Sequence, residues 1–74
     1  MSPEEQLALD ALNAEKATIM GTAFSQLRYY SNARESELKS AGFKTKADAY
    51  TFTVERTLKL LTAAEKLFLA KFPD

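Results

Sequence analysis

The chain has 74 residues, 46% hydrophobic and 27% charged, the balance of a folding domain rather than a disordered segment. Ten basic and ten acidic residues cancel to a formal net charge of zero, so no global field would hold the protein on nucleic acid or an anionic membrane. Cysteine and histidine are both missing, which rules out disulfides and leaves only carboxylates to bind a metal, so neither metal nor cofactor is expected.

A chain of this length carries one core at most, near the size limit at which burial offsets the conformational entropy of folding. The longest apolar run, Leu67-Phe68-Leu69-Ala70, is far short of the roughly 20 residues that span a bilayer. The N-terminus also lacks the basic-then-apolar pattern of a signal peptide, so a cytoplasmic address without membrane attachment is expected.

Ser2-Pro3-Glu4-Glu5 combines a serine N-cap, proline at the first helical position and glutamate three residues after the cap, which together mark a helix start. The apolar stripe Leu9, Leu12, Met20, Ala23, Leu27, Tyr30 and Leu38, flanked by Ile19 and Phe24, predicts one helix from about residue 3 to about residue 40. Such a helix would be roughly 55 Å long. Gly21 is its weak point, costing roughly 1 kcal/mol against alanine. In the row Ala17, Gly21, Ser25 it reads as a tolerated glycine ahead of a helix-contact surface. A three-helix alternative, broken near Gly21, ranks second because no proline, cap signal or polar cluster accompanies it. Lys16 and Arg34 fall inside the stripe; Lys16 is expected to meet Glu65 of the second helix, and Arg34 to snorkel.

Gly42 stands where a left-handed residue ends a helix, with Phe43 as the apolar residue folding back on the last turn and Lys39 suiting the C-terminal dipole. Thr45-Lys46-Ala47-Asp48 then starts a second helix from about residue 46 to about residue 72, before Pro73. The expected architecture is all-α, a single-domain antiparallel hairpin of two long helices joined by a turn at about 41–45.

The second helix carries a heptad with Val54, Leu61 and Phe68 in one seam position and Tyr50, Thr57 and Ala64 in the other. Leu60 and Leu67 flank it on one side, Leu58 and Phe72 on the other, while Asp48, Glu55, Lys59, Thr62 and Lys66 form the polar face. This apolar arc is too wide for one neighbouring helix to cover. The hairpin is therefore expected to dimerise into a coiled-coil-like four-helix bundle, with Val54, Thr57, Leu58, Leu60, Leu61, Ala64, Leu67, Phe68 and Phe72 at the interface. That architecture is similar to the small plasmid RNA-binding repressor-of-primer hairpins; the likeness is of fold alone and transfers no residue.

Nothing in the chain matches G-x-S-x-G, a P-loop or G-x-G-x-x-G, and the pairs Glu4/Glu5 and Glu35/Glu37 read as solvated charges on exposed turns. No enzymatic activity and no small-molecule substrate are expected. Charge is uneven: the first third is acidic, whereas Arg28, Arg34, Lys39, Lys44 and Lys46 cluster towards the turn among Tyr29, Tyr30 and Phe43. That is the composition of a nucleic-acid patch, although helix-end cations and core aromatics account for it without a ligand. Tyr29 and Phe52, off the main stripes, are the expected contacts to a partner protein. The leading reading is a small non-enzymatic regulator or adaptor that self-associates and binds another protein, of the kind that includes compact inhibitors from mobile genetic elements. The alternatives are a nucleic-acid binder using the five basic residues and a structural subunit of a larger assembly.

Overall fold

A computed structural model describes residues 1–73, which form an all-α antiparallel hairpin of two long helices. The elements are α1 (Pro3–Asn32), α2 (Glu35–Ser40) and α3 (Lys46–Lys71). Helices α1 and α3 lie side by side in a rod measuring 52 × 17 × 14 Å. Both expected starts are capped: the Glu5 amide donates to Ser2 Oγ at 3.1 Å, and the Asp48 amide to Thr45 Oγ1 at 3.1 Å. No helix among the described residues is long and apolar enough to cross a membrane.

The first helix does not run to residue 40. It ends at Asn32, and Ala33 and Arg34 are extended, with ψ of 146° and 160°. The break does not involve Gly21, which is helical and has nothing within 4 Å of the position its Cβ would take. Arg34 is accordingly not a charge in the stripe of α1 but the exposed N-cap position of α2.

Length explains the break. An unbroken helix to residue 40 would outrun the 26-residue α3 by about 18 Å, leaving its acidic end unpaired. With the chain turned at Ala33, the 30 residues of α1 and the 26 of α3 nearly match. The carbonyls freed at the end of α1 are taken up locally. Asn32 Nδ2 donates to the Arg28 carbonyl at 3.1 Å, the Ala33 amide to that of Tyr30 at 3.3 Å, and Lys46 Nζ to that of Ser31 at 2.7 Å.

Helix α2 closes as its sequence predicts. Gly42 has φ of +93°, the Phe43 amide donates to the Leu38 carbonyl at 2.9 Å, and the Gly42 amide to that of Lys39 at 3.0 Å. This returns Phe43 onto a cluster of Ala33, Leu38 and Ala49, with Tyr30 against its edge.

The rest of the core is thin. Leu12 and Ala23 of α1 face Thr53 and Ala64 of α3, and among the described residues the buried ones are two leucines, four alanines and one threonine. Thr53, 1% exposed, takes the central place that the heptad assigns to Val54, which is 46% exposed. Ala49, Thr53 and Thr57, four apart, are small enough to let the helices close up, and the bulkier Val54 is rotated about 100° to the rim. The hydroxyl of Thr53 donates to the Ala49 carbonyl at 2.8 Å and that of Thr57 to the Thr53 carbonyl at 2.7 Å, which leaves the methyls to face α1.

The two glycines should respond oppositely. Gly42→Ala forces a side chain into the left-handed region and should lower stability by about 1 kcal/mol or more, whereas Gly21→Ala should raise it by up to about 1 kcal/mol. Urea unfolding followed by circular dichroism measures both; an unchanged midpoint for Gly42→Ala would show that the helix end does not depend on that conformation.

Candidate protein interaction surfaces

Small residues in the seam leave large ones on its rim. Met20, Phe24 and Leu27 on α1 and Val54, Leu58 and Leu61 on α3 repeat at intervals of four and three, so each trio lies along one side of its helix. Together they enclose a shallow groove of about 290 Å³, floored by Ala23, Thr53 and Thr57, whose exposed wall is wholly apolar. Phe24 is 62% exposed and Leu58 57%.

A second, mainly apolar recess of about 280 Å³ lies at the open end, between Ala8, Ala11 and Leu12 of α1 and Leu67, Phe68 and Phe72 beside α3, with Glu15 and Lys71 also lining it. Between the two, Lys16 Nζ meets Glu65 Oε1 at 2.6 Å, the contact expected from sequence. The pair is partly solvated and contributes little stability, but it marks the register: Lys16 of α1 lies level with Glu65 of α3.

The nine residues expected at a dimer interface divide between two surfaces. Ala64 is buried against α1, and Thr57, Leu61, Phe68 and Phe72 are half-buried within the hairpin. Val54, Leu58, Leu60 and Leu67 are exposed. The contribution of α1 to the groove was not legible, because Met20 read as part of the inward stripe and Phe24 as its flank; their large size opposite Thr53 and Thr57 is the signal that could have revealed it.

Tyr29 and Phe52, the expected partner contacts, are brought into one aromatic run at the turn end. Tyr29, Tyr30, Phe43 and Phe52 follow each other with ring centroids 5.4 Å apart at every step. Tyr29 and Phe52 form the half-exposed ends of the run, and Tyr30 and Phe43 its less accessible middle. Glu37 ties it to the chain break: Tyr29 Oη donates to Glu37 Oε2 at 3.3 Å, and the Arg34 amide to Oε1 at 3.4 Å. The negative charge of Glu37, and then the hydrogen bond to it, hold the Tyr29 phenol above its ordinary pKa.

The five basic residues do not form one free patch. Lys39 pairs with Glu35 at 3.0 Å, and Lys46 is committed to the Ser31 carbonyl. Arg28, Arg34 and Lys44 are exposed and have no ion-pair partner among the described residues.

Comparison with protein families, with curated proteins and with solved structures found no match.

Because the Tyr29 pKa is raised in the folded protein, its hydrogen bond to Glu37 is fully present below the ordinary tyrosine pKa and is lost as pH rises through the raised value. In Glu37→Gln the carboxylate charge is gone, so the phenolate absorbance of Tyr29 should appear at lower pH than in the parent protein. Superimposable alkaline titrations of the two proteins would show that Glu37 does not hold the phenol.

Proposed function

We propose that this chain is a small non-enzymatic regulatory or adaptor protein that self-associates and acts by binding another protein. The observation that carries the reading is the apolar groove of Met20, Phe24, Val54, Leu58 and Leu61, left open on a hairpin whose buried core, among the described residues, holds two large apolar side chains, Leu12 and Leu38. Fully burying a side chain of this kind is worth about 1.5–3 kcal/mol, and these are only about half covered, so a surface laid over the groove would add burial that the seam leaves unused.

Two surfaces of different chemistry support the two halves of the proposal. The groove is mostly aliphatic, and a bundle core built over it would bury it permanently. The turn-end run presents aromatic faces with a polar tip at Tyr29, the composition of a separate contact to a different protein. Nucleic-acid binding is the weaker reading, since Glu35 and Glu37 interleave the basic residues and two of the five cations are already engaged.

Size exclusion with light scattering should give the mass of two chains at concentrations on the order of tens of micromolar. Leu58→Lys, at an exposed position, should give a monomer. A compact monomeric parent protein with full helicity would overturn the self-association half. For the second half, a protein captured from the native host should survive nuclease and be lost with Tyr29→Ser/Phe52→Ser. Capture that nuclease abolishes, or that falls steeply with salt, would replace the reading with nucleic-acid binding.

A further inference from the structure

We infer that the groove is filled by a second copy of this chain laid face to face and antiparallel, each hairpin's turn over the other's open end; the inference rests on the self-association proposed above. Asp10 and Arg28 are five helical turns apart on α1, so they project in the same direction, and Ile19 lies midway between them. Arg28 follows Phe24 by four residues and so lies about 40° beyond it, at the outer edge of the groove rim on the side away from α3. The contact between Lys16 and Glu65 marks the register of the two helices, and in that register Leu61 of α3 stands level with Ile19 and Met20 of α1.

The midpoint of the α1 charges and the midpoint of the α3 heptad thus fall at one height. A two-fold axis through that height, lying in the interface, reverses each helix upon its own copy, as an isologous contact requires. Leu61 then meets the second copy's Leu61, Val54 meets Phe68, and Arg28 faces Asp10. Opposite charges meet at both ends of α1. With the hairpins parallel, α1 would instead lie over the second copy's α3, carrying Arg28 level with Thr53, where the nearest acids, Asp48 and Glu55, are on the polar face turned away.

Size also suits this occupant. The broad face of the hairpin measures 52 by 17 Å, enough for the roughly 800 Å² per partner that a stable interface covers. A second copy is moreover a partner present in equal amount wherever the chain is made, which a groove needing constant cover requires.

The test uses the absence of native thiols. Asp10→Cys and Arg28→Cys, both at exposed positions, are prepared separately and treated with a short bismaleimide linker alone and as an equal mixture. The antiparallel dimer should give linked dimer in the mixture and in neither variant alone. If light scattering shows the parent protein to be dimeric but either variant links to itself, or the mixture gives no link, the antiparallel orientation falls and self-association stands. If the parent protein is monomeric, both fall. Charge reversal adds a second measurement: Arg28→Asp should weaken association by roughly 2- to 30-fold across the two symmetric pairs, and Asp10→Arg/Arg28→Asp should recover it. Weakening that persists in the double variant would overturn the pairing.

Discussion

The axial register between α1 and α3 is the constraint on which the other features depend. It is set at one end of the rod, where the chain breaks at Ala33, forms one and a half turns of α2, and reverses through Gly42. Every residue gained or lost there would slide α3 along α1 by about 1.5 Å. The contact of Lys16 with Glu65, the burial of Leu12 beside Ala64 and the alignment of the two rim trios are consequences of that one offset. The turn is correspondingly held by several local hydrogen bonds. Its carbonyls are capped by Asn32 and Lys46, its carboxylate Glu37 holds the Arg34 amide and the Tyr29 hydroxyl together, and Leu38 is 4% exposed beneath it.

Away from the turn, the seam follows a different rule. Ala23, Ala49, Thr53 and Ala64 let the helix backbones approach, but each buries little apolar surface, and the residues able to bury more are displaced to the rim. Two helices can enclose only the line between them. Close approach within the hairpin is thus achieved at the expense of side chains such as Phe24 and Leu58, which need a third surface. The proposed association would be coupled to folding by this arrangement, the stability of the hairpin depending on what covers the groove.

How far the fold was legible follows from how local each signal is. The caps at Ser2 and Thr45 and the left-handed turn at Gly42 depend on residues within a few positions of one another, and they stand where the sequence puts them. The contact of Lys16 with Glu65 was legible because one turn fixes the approximate register of any hairpin. The break at Ala33 was not. Neither proline nor glycine marks it; only Ser31 and Asn32, whose side chains compete weakly for the backbone, hint at it. It is decided by the length of α3, a property of a segment that follows it. Val54 was misplaced for a related reason, since the heptad ranks residues by apolarity whereas close packing ranks them by size, and a threonine that satisfies its own hydroxyl passes as a small apolar residue.

The same size rule explains why the two interaction surfaces are separable. At the turn end, Tyr29, Tyr30, Phe43 and Phe52 support one another by edge and tilted contacts, and Glu37 fixes the outermost ring, so this surface is organised within a single chain. The groove has no such internal support. Met20, Phe24, Val54 and Leu58 are exposed side chains on helix rims, and only an opposing surface can order them. A contact that is pre-formed loses little entropy on binding and suits a partner that comes and goes, whereas one that must be ordered by its occupant suits an occupant that stays. On that physical ground the groove suits the proposed self-association and the aromatic run the proposed contact to a different protein.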